Sequence, residues 1–177
     1  MVSAAATRSA SPVGAADLRL LSELTDRYLA SPFAHPPAPV ATERTLTWEW
    51  DRPAARVRFT GVVDRSDGAT IIDYKTDSEL SGLAERHGTQ LRLYGLALAD
   101  ADPQRMPRLQ LYHARTGTVV DVDASPSAVA ATYAELDRAL EWLARDAFPA
   151  TPSFSACQYC PARAYCPEAF PVGSARV

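Results

Sequence analysis

The stretch GVVDRSDGATIIDYK, residues 61–75, decides how this chain folds. Two apolar runs flank Ser66-Asp67-Gly68, a turn signal whose glycine reaches backbone angles closed to other residues. Two strands joined by a tight turn follow, Arg56–Asp64 and Ala69–Thr76. Upstream, Thr45–Trp50 alternates apolar and polar residues and ends at Asp51-Arg52-Pro53, so the three strands form a meander. Before them, Leu18, Leu21, Leu24 and Tyr28 recur at helical spacing over residues 16–30, and the proline-rich SPFAHPPAPV (31–40) predicts an extended connector. Downstream, Leu91, Tyr94 and Leu98 predict a helix over 88–101. Leu109–His113 and Thr118–Val122 predict a hairpin across Arg115-Thr116-Gly117. Ser125-Pro126 opens a capped helix running to about Ala147. The order α-βββ-α-ββ-α is that of an α+β domain with a central sheet. Residues 1–15 are Ala/Ser-rich and read as a disordered N-terminus, 16–147 as the core, and 148–177 as a Cys-rich tail.

Composition narrows the function. The chain of 177 residues is long enough for one well-filled core. Its net charge of −3 excludes a broad basic footprint, though not a local groove that holds phosphate with the help of cations. No run is apolar enough to span a bilayer, and MVSAAATRSA lacks the layout of a secretory signal, so the expected location is cytoplasmic with no membrane partner. The phosphate-loop pattern G-x-x-x-x-G-K-[ST] is absent, which excludes a helicase motor within these residues.

The chemistry concentrates in the opening stretch. Side chains alternate along a strand, so Asp73 and Lys75 share one face and Tyr74 takes the other. The turn brings Asp64 back beside them. Two carboxylates converging at a strand end, with a nearby carbonyl such as that of Tyr74, make an all-oxygen site suited to Mg²⁺ or Mn²⁺. Such a site lowers the pKa of a bound water and polarises a phosphodiester oxygen, with Lys75 offsetting developing charge. The plain alternative is a surface ion pair at a strand end, worth little. The apolar Ile71-Ile72 leading into Asp73, and a second acid after Gly61, argue for a buried strand that emerges at a site.

GVVDR (61–65) followed by IIDYKTD (71–77) resembles the RecB-type nuclease domains of the PD-(D/E)XK superfamily, found at the C-termini of bacterial helicase–nucleases and in related CRISPR-associated exonucleases. QLRLY (90–94) matches that family's Q-x-x-x-Y motif, and residues four apart share a helix face, so Gln90 and Tyr94 both look toward the acids. The resemblance covers residues 16–170. It implies a restriction-endonuclease-like core with a mixed sheet flanked by helices. It also implies catalytic roles for Asp64, Asp73, Lys75, Gln90 and Tyr94, with a metal held by Asp64, Asp73 and Tyr74. DNA is the implied substrate, a helicase subunit or domain the implied partner, and recombination or repair the setting, with exonuclease action favoured over endonuclease.

Cys157, Cys160 and Cys166, spaced C-x2-C-x5-C, resemble the iron–sulfur staple of some of these nucleases. A [4Fe–4S] cluster needs four ligands. Its fourth cysteine lies upstream of the core in the family and is missing here, leaving packed reduced thiols or a Zn²⁺ site as alternatives. The family's metal-binding histidine on the N-terminal helix is also missing: residues 16–30 hold none, and His35, His87 and His113 do not match its position. These two departures lead to the expectation that the chain is the C-terminal part of a longer protein. Three functions follow: a metal-dependent DNA nuclease, a catalytically impaired remnant that binds DNA or serves as a scaffold, and a thiolate–metal module with structural acids. Glu43 reads as an exposed strand-edge acid, Arg65 as a phosphate contact or acid partner, and Arg92 as a solvated face. Trp48, Trp50 and Trp142 read as packing residues.

Overall fold

The elements follow one another in the order their patterns predict. The computed structural model describes residues 14–36, 39–52, 55–100, 102–158 and 160–171. In chain order they are α1 (Ala15–Leu29), β1 (Ala41–Asp51), β2 (Arg56–Ser66), β3 (Thr70–Lys75), α2 (Leu83–Leu98), β4 (Arg108–His113), β5 (Thr118–Val122), α3 (Pro126–Ala144) and α4 (Phe154–Gln158). The disordered N-terminus read from residues 1–15 falls largely outside the described residues, and α1 already begins at Ala15.

One five-stranded sheet has the order β1-β2-β3-β4-β5. The first three strands are the expected antiparallel meander, while β3 and β4 pair in parallel from Thr70↔Arg108 to Lys75↔His113. Parallel neighbours need a crossover, which α2 supplies. Both middle strands are buried on two faces: Ile71, Ile72 and Asp73 in β3, and Leu109 through His113 in β4. This mixed sheet with flanking helices is the expected α+β, restriction-endonuclease-like class. Between β2 and β3 the Asp67 carboxylate accepts the amides of Ala69 (2.9 Å) and Thr70 (2.7 Å), and Gly68 takes φ 88°. That is the Asp-Gly turn the sequence predicts. The core lies between the sheet and α2, where Leu83, Leu91 and Tyr94 meet Leu46, Val63, Ile71 and Leu111.

Several boundaries differ from expectation. β1 starts at Ala41 rather than Thr45, because pairing along the whole of β2 extends it beyond its own alternation. α2 starts at Leu83, five residues early, after Gly82 in a left-handed conformation. Gly88, which reads as a helix start, is a buried position inside it. The segment after α1 is turned rather than extended: Ser31 N–H donates to the Tyr28 carbonyl (2.9 Å) and Ala34 N–H to that of Ser31 (3.2 Å). α3 starts as expected, with the Ser125 hydroxyl accepting the Ala128 amide (3.3 Å). It ends at Ala144 because Asp146 adopts φ 49° and the Ala147 N–H closes back on the Trp142 carbonyl (2.8 Å).

The chain divides into two units, Met1–Asp137 and Arg138–Val177. In the second, Cys157 is buried and its Sγ accepts the Phe170 amide at 3.3 Å, whereas Cys160 is exposed. Trp142 is 40% exposed, so its assignment to packing does not hold. In the first unit Trp48 stacks on Trp50 with ring centres 5.5 Å apart, and Trp50 meets Tyr133 at 4.6 Å, as packing residues do. No helix among the described residues is long and apolar enough to cross a membrane.

Candidate active site

Alternation on β3 works as expected up to its end. Asp73 Oδ2 and Lys75 Nζ lie 2.7 Å apart on the α2 face. Tyr74 turns the other way to pack against Tyr28 and Tyr112, with both ring-centre distances 5.8 Å. From α2, the Gln90 side chain links a β3 residue to one a turn further along its own helix: Lys75 Nζ donates to its Oε1 (3.3 Å), and its Nε2 donates to the Tyr94 hydroxyl (2.8 Å). A chain of contacts therefore runs from Asp73 through Lys75 and Gln90 to Tyr94.

Glycine at position 61 makes this chain fit. A Cβ there would sit 2.5 Å from the Tyr94 ring and 3.2 Å from that of Phe59. The strand can approach α2 only without a side chain, the usual meaning of glycine inside a strand.

Asp64 enters from β2 where that strand leaves β3. Only Arg65↔Ile72 and Ser66↔Ile71 are paired; beyond them the Asp64 carboxylate accepts the Tyr74 backbone N–H at 2.8 Å. The alternation of β2 breaks here. Gly61 and Val63 face α2, yet Arg65 points the other way, toward Tyr28, Phe33 and Tyr74. Across the hairpin, the pairs Thr42↔Arg65 and Arg44↔Val63 flank an unpaired Glu43, whose φ is 51°. A left-handed glutamate is strained, and such strain gathers at functional sites.

Burial, above all, lifts the Asp73 carboxyl above its ordinary value; Lys75 opposes the shift, Asp64 adds to it, and His87 opposes it more weakly. Although Lys75 neutralises it, Asp73 Oδ2 has no aligned hydrogen-bond donor among the described residues. A buried carboxylate oxygen met by one lysine, beside a second carboxylate, is chemistry that a hard divalent cation would satisfy. Asp64 and Asp73 are the carboxylates such an ion would meet. Among the described residues, no three or more His, Cys, Asp or Glu side chains gather closely enough to hold a metal ion. Cys157, Cys160 and Cys166 form no such group, so the expected iron–sulfur staple gains no support from the fold.

His87, one turn before Gln90, belongs near the site although its place in the sequence argued against it. Its Nε2 lies 3.4 Å from Asp77 Oδ1. The Asp77 carboxyl is held below its ordinary value: burial works upward, but the hydrogen bond and charge of His87, with Arg86, outweigh it. The signal for His87 was its spacing of three from Gln90. His113 is a core residue that donates from Nε2 to the Asp77 carbonyl (2.8 Å). Arg92 is not on a solvated face; its Nε donates to the Thr132 hydroxyl at 2.6 Å and ties α2 to α3.

With this geometry, the family model described as the PD-(D/E)XK nuclease superfamily matches residues 2–167. The chain belongs to the PD-(D/E)XK nuclease superfamily. This nuclease-superfamily chain is also similar to ATP-dependent helicase/nuclease subunits of Lacticaseibacillus casei and of Lacticaseibacillus paracasei. Each is 40% identical over 81 residues, covering 42% of this chain and 7% of the relative. The match thus spans a small part of those relatives' length. The crystal structure of SSO0001 shares the PD-(D/E)XK chain's fold, with a TM-score of 0.53 and 21% identity over 88% of this chain and 71% of that one. The RecB-type resemblance read from the motifs stands.

Proposed function

We propose that this chain is a divalent-metal-dependent deoxyribonuclease domain that works beside a helicase in recombination or repair, as an exonuclease. What supports the reading is the chain of contacts from Asp73 through Lys75 and Gln90 to Tyr94, with Asp64 on the Tyr74 amide next to Asp73. A Mg²⁺ or Mn²⁺ ion held by Asp64, Asp73 and the Tyr74 carbonyl would supply a water of lowered pKa and positive charge for the phosphate. Lys75, its ammonium fixed between Asp73 and Gln90, offsets charge developing on the phosphoryl oxygens. Gln90 orients Lys75, and Tyr94 orients Gln90. The proposed reaction uses none of the three thiols.

The partner is a proposal that draws on the two Lacticaseibacillus relatives, each named as part of a helicase/nuclease. A degradation assay on linear DNA with Mg²⁺ or Mn²⁺ tests the site: Asp73→Ala is expected to lower the rate by a factor of about 100 or more, on the order of the loss when one charge-stabilising group is removed. Activity that survives the substitution sinks the assignment. A second reading, a DNA-binding or scaffold module with impaired catalysis, is favoured by the lack of a third metal-ligating side chain among the described residues. DNA binding without cleavage under either metal would select it.

A further inference from the structure

A cleft of about 490 Å³ opens on the α1 face of the sheet, walled by Tyr28, Phe33, Thr42, Asp64, Arg65 and Tyr74 among others. Asp64 is common to this cleft and to the carboxylate pair. The size lies within the range of sites that hold a small organic ligand. Three aromatic side chains contribute to its walls.

Arg65 is the basic side chain on a lining that also carries Glu43 and Asp64. The residue is 6% exposed, and its hydrogen-bond partners among the described residues are all neutral: the Phe33 carbonyl and the hydroxyls of Tyr28 (3.4 Å) and Tyr74 (3.5 Å). With no carboxylate among its hydrogen-bond partners, the guanidinium, which lies 5.6 Å from the Phe33 ring centre, is the group on this lining that can take an anion, while Asp64 and Glu43 carry the opposite charge. Glu43, on the β1 wall, makes that side unfavourable for phosphate and leaves the Arg65 side for it.

We infer that this cleft seats one unpaired nucleotide of the DNA strand, next to the phosphodiester that is cut, with its base against Tyr28 and Phe33 and its phosphate toward Arg65. A base must leave its duplex stack to offer a face to aromatic side chains, so the strand here is single. The inference rests on the nuclease reading and adds where the strand lies.

A single-stranded oligonucleotide carrying 5-iododeoxyuridine, irradiated with the full chain in the absence of divalent metal, tests it. Mass spectrometry of the digest is expected to find the adduct on Tyr28 or Phe33. Thr42→Trp, an exposed position on the mouth of the cleft, should abolish that adduct and weaken the Kd about tenfold, the factor carried by one base–aromatic stack. Ala34→Trp, on the connector wall, is a second blocking variant, and Ala130→Trp, exposed on α3, should change neither readout. Adducts confined to other residues, or blocked variants that bind and cross-link like the parent, overturn the inference. An unlabelled cleft in a protein that cuts DNA refutes the cleft alone. A labelled cleft in a protein that cuts nothing refutes the nuclease reading alone.

Discussion

Burying the Asp73 carboxylate costs more than Lys75 returns, and a stability measurement reads the difference. Its pKa is raised, so the native state binds a proton more readily than the unfolded chain does. By linkage, the carboxyl carries no penalty at pH below its ordinary value, and stability is lost as pH rises from there through the raised value. Above the raised value the full penalty is present. Removing only the acid would strand Lys75, so the informative variant is Asp73→Asn/Lys75→Met, which replaces a buried ion pair by neutral groups. It is expected to be inactive yet more stable, with Tm higher by about 2–4 °C for each ~1 kcal/mol relieved. Mn²⁺ at about 100 times its Kd should stabilise the parent by about 2.7 kcal/mol and leave the double variant unchanged. A Tm for the double variant at or below the parent's would show that Lys75 compensates the burial after all. At this scale the motif residues were legible because strand alternation and four-residue helix spacing are local rules. Arg65 was not: its direction depends on the break at Asp64, set by the Tyr74 amide and by Glu43 on another strand.

Contact between β2 and α2 is the element-level requirement of the site, and Gly61 is its narrowest point. Gly61→Ala drives a methyl to 2.5 Å from the Tyr94 ring, a residue only 6% exposed. The expected result is a loss of about 1–3 kcal/mol, the usual cost of overpacking, seen as a lower denaturant midpoint. Because Tyr94 holds Gln90, and Gln90 holds Lys75, turnover should fall about tenfold or more with substrate Kd little changed. A variant destabilised but equally active would break the link between the helix motif and the lysine. Sequence reading found the elements and missed the true start of α2, because Gly88 reads as a breaker while the burial of Leu83 against the sheet is a long-range contact.

For the whole molecule, a net charge of −3 limits how it can hold a polyanion. Few phosphates can be neutralised by a chain with 21 acidic and 18 basic residues, so contacts must be concentrated at the site and the cleft. Affinity for single-stranded DNA, measured by anisotropy across salt concentrations, should therefore fall with a shallow slope, about −2 or weaker on a log–log plot, as for two or three contacts. A slope of about −5 or steeper would reveal a basic track across the surface and a different binding mode.

Sequence alone determined the order of the elements, the Asp-Gly turn, the shared face of Asp73 and Lys75, and the pairing of Gln90 with Tyr94, since each follows from spacing within one segment. Tertiary structure decided the rest. It buried Asp73 in the middle of a mixed sheet, brought Asp64 to the Tyr74 amide, set His87 beside Asp77, made a core residue of His113, and turned Arg65 into an aromatic cleft. Each of these depends on side chains from distant strands and helices competing for the same space and the same hydrogen bonds, and no local period encodes the outcome.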